Sequence, residues 1–65
     1  MESEWVVIAR FTDDVRCQIA LDRLMSNDIE AVAVDKRDSI YRFGEIELCV
    51  HRDNVIIAKE MTKDL

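Results

Sequence analysis

The chain has 65 residues, of which 9 are basic and 14 acidic, and its formal net charge is −5. This balance argues against nucleic-acid binding, because affinity for phosphate backbones comes from Lys and Arg side chains. No apolar run approaches the roughly 18 residues of a membrane-spanning helix, and two cysteines without a secretory signal do not indicate a disulfide-stapled scaffold. We therefore expect a single cytoplasmic domain over residues 1–65, without a cofactor and without membrane attachment.

A domain of this size needs support for its stability. A chain of 65 residues buries only about 60% of its unfolded surface, so small domains usually rely on disulfides, metals or oligomerisation. Because the cysteines do not indicate disulfides, oligomerisation is the expected support, and we predict a homodimer.

The run Trp5–Phe11 predicts the first strand, because apolar, β-branched and aromatic residues dominate it. Both faces of this strand carry apolar groups, so the sequence leaves open which of them meets the helices. The remaining face is expected to meet another protomer, a partner domain or a ligand. Strict alternation separates two sets: Trp5, Val7, Ala9 and Phe11 on one face, and Val6, Ile8 and Arg10 on the other.

Residues 13–27 predict an amphipathic helix. Thr12, Asp13 and Asp14 supply N-cap candidates and place carboxylates at the positive end of the helix dipole. At the other end, Asn27 or Asp28 can adopt the left-handed conformation that glycine usually takes. The apolar face repeats at helical spacing through Cys17, Ala20, Leu21 and Leu24.

Two further strands and a second helix complete the chain. Residues 30–36 and 45–51 predict strands joined by a loop at 37–44. Asp53 is the predicted N-cap of a final helix that continues to the chain end, with Ile57, Met61 and Leu65 one turn apart. The predicted core lies between sheet and helices and comprises Cys17, Ala20, Leu24, Ile46, Leu48, Val50, Ala58 and Met61.

The order β-α-β-β-α predicts an α+β fold. A right-handed crossover through the first helix, followed by a hairpin, places the third strand antiparallel between the other two. This arrangement is a ferredoxin-like split β-α-β sheet with two helices on one face and the fourth strand missing. The missing strand leaves the first strand with an open edge.

Strings of residues along nearly the whole chain carry a resemblance to a known family. They are Trp5–Ile8, Thr12–Asp13, Asn27–Ala31, Asp38–Ser39, Val50–Arg52 and, most specific of all, Phe43–Leu48 with the sequence Phe-Gly-Glu-Ile-Glu-Leu. In these strings the chain resembles a small bacterial domain of unknown function that is named for a proposed part in signal transduction. The resemblance implies a signalling role without an established mechanism, and it implies that Val6 and Ile8 face the helices. Family members commonly have Gly where this chain has Asp28.

A basic and aromatic cluster is the first candidate site. It comprises Lys36, Arg37, Tyr41, Arg42 and Phe43, in or beside the predicted loop of an otherwise acidic chain. Such a cluster could bind an anionic ligand, a phosphorylated peptide or a nucleotide base. The alternative is a solvated hairpin loop whose Tyr and Phe side chains pack back against the sheet.

The polar row of the third strand is a weak metal candidate. Glu47, Cys49 and His51 share one face at a spacing of about 6.6 to 6.8 Å. Zinc ligands usually occur at turn-like spacing, so a solvated polar row is the favoured interpretation and no metal site is predicted. Cys17 is expected among the helices and Cys49 on the opposite side of the sheet, which argues against a disulfide between them.

The sequence contains no phosphate-binding glycine loop and no nucleophile motif, and it has a single His. We therefore predict that the chain is not an enzyme but a regulatory or protein-interaction module that self-associates through the open sheet face or edge. The alternatives are a small-molecule sensor that uses loop 36–43 and, behind it, a metal- or redox-responsive protein that uses Cys49 and His51. The predicted interface comprises Trp5, Val7, Ala9, Phe11 and Cys49.

Overall fold

The computed structural model describes residues 4–37 and 45–65. The predicted element order β-α-β-β-α is confirmed. None of the helices in these residues has the length and apolar character needed to cross a bilayer. The elements are β1 (Trp5–Phe11), α1 (Asp14–Ser26), β2 (Ala31–Asp35), β3 (Ile46–His51), a short 3-10 helix (Arg52–Asn54) and α2 (Val55–Thr62).

β3 lies in the middle of a three-stranded sheet, as predicted. The strand order is β1-β3-β2, and both neighbours run antiparallel to β3. Alternate residues of β3, namely Ile46, Leu48 and Val50, form one buried cluster with side chains of both helices. Both helices therefore pack on the same face of the sheet, which we call the inner face.

The predicted core between sheet and helices is confirmed. Full burial of one Leu or Val side chain contributes about 1.5–3 kcal/mol relative to exposure, so this cluster is the main source of folding free energy. Ala20, Leu24, Leu48, Val50 and Ala58 are all 0% exposed, Cys17 and Ile46 are buried with them, and Met61 packs against the cluster.

The N-terminus of α1 is capped by a side chain. Asp13 has an extended backbone conformation and its carboxylate accepts a hydrogen bond from the Arg16 N–H at 2.9 Å. This bond satisfies one of the N–H groups that lack an intrahelical partner in the first turn. Asp13 is therefore the residue, among the predicted candidates, that begins the helix.

The C-terminus of α1 closes in a Schellman motif. The Ile29 N–H donates to the Leu24 carbonyl at 2.9 Å, and the Asp28 N–H donates to the Met25 carbonyl at 3.1 Å. Asp28 adopts the left-handed conformation with a φ of 61°, as the sequence predicted. Ile29 is buried in the same cluster as Leu24, so the turn also begins the packing of the following strand.

The predicted strict alternation of β1 side chains between the two faces of the sheet is wrong. The register against β3 shifts between Val7 and Ala9, which makes Ile8 the extra residue of a β-bulge. Because of the bulge, Ile8 and Ala9 both pack against the buried cluster, and Phe11 is part of it. Trp5 and Val7 lie on the opposite face of the sheet. Odd and even positions of β1 therefore do not separate the two faces, because the alternation of side chains shifts by one residue at the bulge.

α2 is shorter than predicted, and its predicted apolar stripe is confirmed in part, since Met61 and Leu65 pack against the buried cluster. No side chain caps its N-terminus, so Asp53 is not the predicted cap, and the helix ends at Thr62 rather than at the chain end. Ala58 and Thr62 are buried, whereas Ile57 is 52% exposed. The Thr62 hydroxyl donates to the Ala58 carbonyl at 2.9 Å, and this bond allows a polar side chain to lie in the core.

The molecule has the proportions of a two-layer slab. The Cα atoms extend over 31 × 30 × 15 Å, as expected for one sheet covered by one layer of helices. The face of the sheet that points away from the helices is therefore a broad side of the molecule. We call it the outer face.

Candidate functional site

The outer face is the candidate site, because large apolar side chains lie partly exposed there. Neither helix of the described residues packs on it. Trp5, Val32 and Val34 are 37%, 42% and 38% exposed, respectively. The register of the sheet gives the composition of this face as Trp5, Val7 and Arg10 from β1, Glu47, Cys49 and His51 from β3, and Val32 and Val34 from β2.

An apolar row crosses the middle of the outer face. Val7 and Val32 are both register partners of Cys49, one on each side of the central strand. Cys49 is only 8% exposed, and neither helix of the described residues packs on this face. Within this row, Val32 is the exposed side chain, whereas Val7 is half-buried and Cys49 is buried.

The two thiols lie on opposite sides of the sheet, as predicted, and both are free. Cys17 belongs to the inner cluster and Cys49 to the outer row. Burial raises the pKa of the Cys49 thiol, and the nearby charge of Glu47 raises it further. The thiol is therefore protonated at neutral pH, and Cys49 acts as an apolar side chain rather than as a nucleophile.

An aromatic stack occupies one end of the outer face. The rings of Trp5 and His51 are stacked, with centroids 4.1 Å apart and an interplanar angle of 26°. The His51 Nε2 lies 3.0 Å from the Glu30 carboxylate. These contacts hold the Trp5 ring in place, so a partner would meet a preorganised aromatic surface rather than a mobile one.

An ion-pair cluster occupies the other end. The Glu47 side chain is 8% exposed, and its oxygens lie 3.6 Å from the Arg10 Nε and 3.9 Å from the Lys36 Nζ. The Arg10 Nε also lies 3.8 Å from a Glu45 oxygen. Two cations, Arg10 on β1 and Lys36 just after β2, thus offset the desolvation of a carboxylate on the central strand. Arg10 is half exposed and is available to a partner as well.

The structure does not bring Lys36 and Arg37 together. The Lys36 ammonium turns to Glu47 on the outer face, whereas Arg37 hydrogen-bonds Asp35 at 2.8 and 3.0 Å and lies 3.0 Å from Asp14 of α1. The hydrogen bonds from Arg37 lower the pKa of Asp35 to about 2. These two cations are ion-paired on opposite sides of the sheet, so they do not form an anion site. The other three residues of the predicted loop site, Tyr41, Arg42 and Phe43, lie outside the described residues.

The predicted interface is only partly on the outer face. Trp5, Val7 and Cys49 lie there, as the sequence analysis expected of an interface. Ala9 and Phe11 do not, because the bulge turns them towards the helices, and Phe11 is only 7% exposed. These two residues are therefore corrected to core positions.

Sequence reasoning missed three contributors to the outer face. Val32 and Val34 alternate with Ala31 and Ala33, and the larger pair points outward while Ala31 packs against the inner cluster. The size difference between Val and Ala could have predicted the outward face of β2, because small residues suit the face on which a helix packs closely. Arg10 was missed as well, although its outward position follows from pairing with Glu47.

The polar row of β3 does not form a metal centre with other side chains of the described residues. No group of three or more His, Cys, Asp or Glu side chains in residues 4–37 and 45–65 is arranged to hold a metal ion. Glu47 instead contacts cations, and His51 contacts Glu30 and Trp5. The same described part of the chain contains no pocket.

Comparison with known proteins adds no relative from which a site could be transferred. No family model, no curated protein and no solved structure matches the chain. The family resemblance drawn from the sequence therefore stays a prediction, and the functional argument rests on the outer face itself.

Proposed function

We propose that this chain is a non-enzymatic regulatory module that binds protein, and that its partner is a second copy of itself docked on the outer face. The observation that carries the proposal is the exposure of three large apolar side chains on this face, namely Trp5, Val32 and Val34. Water is a poor partner for such a surface, and a two-fold dimer covers it on both copies at once.

The residue types of the outer face suit a protein interface. Trp and Arg are the side chains most often found at the energetic centre of protein interfaces. Trp5 is fixed by its stack on His51, so little side-chain entropy would be lost when it is covered. Arg10 lies at the opposite end of the same face, with its guanidinium half exposed.

The size of the sheet predicts a weak and reversible dimer. Three strands about 4.8 Å apart and six residues long, at about 3.4 Å each, offer roughly 300 Å² in projection. A standard interface covers about 800 Å² per partner. Dissociation constants of about 10 μM or higher are therefore expected, which suits a regulatory switch between monomer and dimer.

The wider context of the proposal follows from the sequence. The ferredoxin-like topology with a missing fourth strand leaves the sheet small enough for the outer face to be shared between copies. Two free thiols suit a reducing compartment, so the proposal places the module in the cytoplasm. A role in bacterial signal transduction is what the family resemblance implies.

Sedimentation equilibrium over about 10 μM to 1 mM tests the proposal. The weight-average mass of the wild type is expected to rise from 7.6 kDa towards twice that value. Val32→Glu should hold the chain at the monomer mass, because it buries a charge in the interface. Ile56→Glu is the matched control: it adds the same charge at a side chain that is 86% exposed on α2, and it should dimerise like the wild type.

Circular dichroism must show that both variants are folded. A wild type that stays monomeric over the whole concentration range would refute the proposal. Equal effects of the two glutamate substitutions would refute the outer face as the docking surface, because they would point to net charge instead.

A further inference from the structure

We propose that β1 has two registers against β3, and that contacts at the start of β1 hold it in the observed one. In the observed register, Ile8 is the extra residue of the bulge. In the second register, residues 4–7 shift by one position along β3, which is about 3.4 Å, and the strand becomes regular. We call the two the bulged register and the regular register.

The pairing that follows the bulge defines the regular register. Ala9 pairs with Leu48. When the same pairing continues towards the start of β1, Ile8 lies opposite Cys49, whereas in the bulged register Val7 lies there. Side chains of β1 then alternate strictly between the two faces, which is the pattern that the sequence alone predicts. The outer face receives Val6, Ile8 and Arg10, and the inner face receives Trp5, Val7, Ala9 and Phe11.

The residues of β1 suit both registers. A slip by one residue usually moves polar side chains into a core, and this cost fixes the register of most strands that have one buried face. Every side chain from Trp5 to Ala9 is apolar, so either register places apolar groups against the helices. The regular register also removes the bulge, which interrupts the ladder of hydrogen bonds between β1 and β3. Neither polarity nor backbone pairing therefore selects the bulged register.

Two contacts at the start of β1 exist only in the bulged register, and we call them the end contacts. The Trp5 ring stacks on His51 with centroids 4.1 Å apart. One residue earlier, the Glu4 carboxylate lies 2.7 Å from the Arg52 Nε, and the Glu4 carbonyl accepts a hydrogen bond from the Arg52 N–H at 2.9 Å. A slip by one residue turns both Trp5 and Glu4 to the opposite face of the sheet. The end contacts therefore stabilise the bulged register.

The register decides which side chains β1 contributes to the outer face. The bulged register presents Trp5 and Val7 there, whereas the regular register presents Val6 and Ile8. Separation of the end contacts would withdraw the aromatic ring from the outer face, and a partner that covers the ring would favour the bulged register. The change of register needs no second copy of the chain, but its effect on docking rests on the proposed function.

Disulfide formation with Cys49 reports the register. In the bulged register, position 7 lies directly opposite Cys49, whereas Ile8 packs on the inner face. The regular register exchanges these two positions. Directly opposed residues of antiparallel strands have Cα atoms about 4.5–5.5 Å apart, which is within the range of a disulfide. Val7→Cys and Ile8→Cys are each made together with Cys17→Ala, so that Cys49 is the remaining native thiol.

The rate of intramolecular disulfide formation is measured with oxidised glutathione at about pH 8.5, where thiolates form. A chain concentration of about 1 μM lies below the expected dissociation constant of the dimer, and mass spectrometry separates the intramolecular product from joined chains. Each variant is measured with and without Glu4→Ala and His51→Ala, which remove the end contacts. The direct effect of each introduced cysteine cancels in this comparison.

Arg10→Cys in the same Cys17→Ala chain is the matched control. Position 10 pairs with Glu47 after the bulge, so it stays on the outer face in both registers and lies diagonally from Cys49, within occasional reach of its thiol. Its rate therefore reports a general loosening of β1 rather than a slip.

With the end contacts intact, Val7→Cys should form the disulfide at least about tenfold faster than Ile8→Cys, because the bulged register is the major state. Removal of both end contacts should raise the rate of Ile8→Cys about three- to tenfold and leave Arg10→Cys within about twofold. Glu4→Ala or His51→Ala alone should give an intermediate rate.

An unchanged rate at position 8, or a rise that position 10 matches, would overturn the second register. A faster reaction at position 8 than at position 7 with the end contacts intact would overturn their role in holding the bulge. Sedimentation of the wild type is independent of these results: a monomer at every concentration refutes the proposed dimer and leaves the change of register intact.

Discussion

The two faces of β3 are buried in different ways. On the inner face, Leu48 and Val50 are 0% exposed because both helices pack against them. On the outer face, Glu47 and Cys49 are 6% and 8% exposed, and neither of the described helices packs on that face. The low exposure of a β3 side chain therefore does not by itself measure how much that side chain stabilises the fold.

The largest expected effect comes from alanine substitution of two adjacent residues of β3 that lie on opposite faces of the sheet. Leu48→Ala should lower the free energy of unfolding by about 2–5 kcal/mol, because it leaves a cavity between sheet and helices. Cys49→Ala should cost less than about 1 kcal/mol, since the side chain is small and the site can be filled from the solvent side. Urea unfolding measures both. Equal losses would show that the outer row is also part of the core.

The next largest effect on the free energy of unfolding is expected at the N-termini of the two helices, which pack on the inner face. Asp13→Ala should lower the free energy of unfolding by about 1 kcal/mol, because it removes the N-cap hydrogen bond of α1. Asp53→Ala is the matched control and should change it by less than about 0.5 kcal/mol, because no side chain caps α2. If Asp53→Ala were the more damaging change, the assignment of the caps would be reversed.

A smaller effect of opposite sign is expected at the Schellman motif. Asp28→Gly should raise the free energy of unfolding by about 0.5–1 kcal/mol, because glycine adopts the left-handed conformation without steric cost. Thermal and urea unfolding measure the gain. Asn27→Gly serves as the comparison: Asn27 has a φ of −108°, so the same residue type should bring no gain there. A loss at position 28 would mean that the Asp side chain itself supports the turn.

The smallest expected effect is a pH dependence of the free energy of unfolding, and it arises at the end of β2. Arg37 lowers the pKa of Asp35 from 3.8 to about 2, so the folded-state value lies below the unfolded one. The resulting stabilisation is complete above the unfolded-state value and is lost as the pH falls towards about 2. Asp35→Asn and Arg37→Ala should each flatten the fall in urea midpoint across this range. An unchanged slope in both variants would assign the acid sensitivity to other carboxylates.

The sequence was sufficient to predict α1 and the central strand β3. Cys17, Ala20 and Leu24 recur at helical spacing, and Ile46, Leu48 and Val50 recur at strand spacing, so both patterns reflect a single buried face. The turn at Asp28 was predictable for a related reason: few residue types other than Gly tolerate a positive φ, and Asn and Asp are among them.

Other features depended on tertiary contacts that local patterns do not contain. β1 is apolar on both faces, so periodicity could not reveal a bulge that brings Ile8 and Ala9 to the same side. In α2, the Thr62 hydroxyl is satisfied by the Ala58 carbonyl, and a buried Thr could not be expected from hydropathy alone. The ion partners of Lys36 and Arg37 likewise required the register of the sheet, although their adjacent positions already favoured opposite faces.

The bulge at Ile8 has a further consequence for aggregation. In the described residues β1 pairs with β3 alone, so none of the other described strands covers its second edge. A bulge interrupts the regular spacing of the backbone groups along an edge and increases the local twist, which makes an edge a poor template for continued strand addition. Growth by edge pairing would lead to open-ended fibres, whereas face-to-face stacking closes after two copies. The irregular strand therefore lets the chain expose an aromatic, apolar face in solution while discouraging polymerisation.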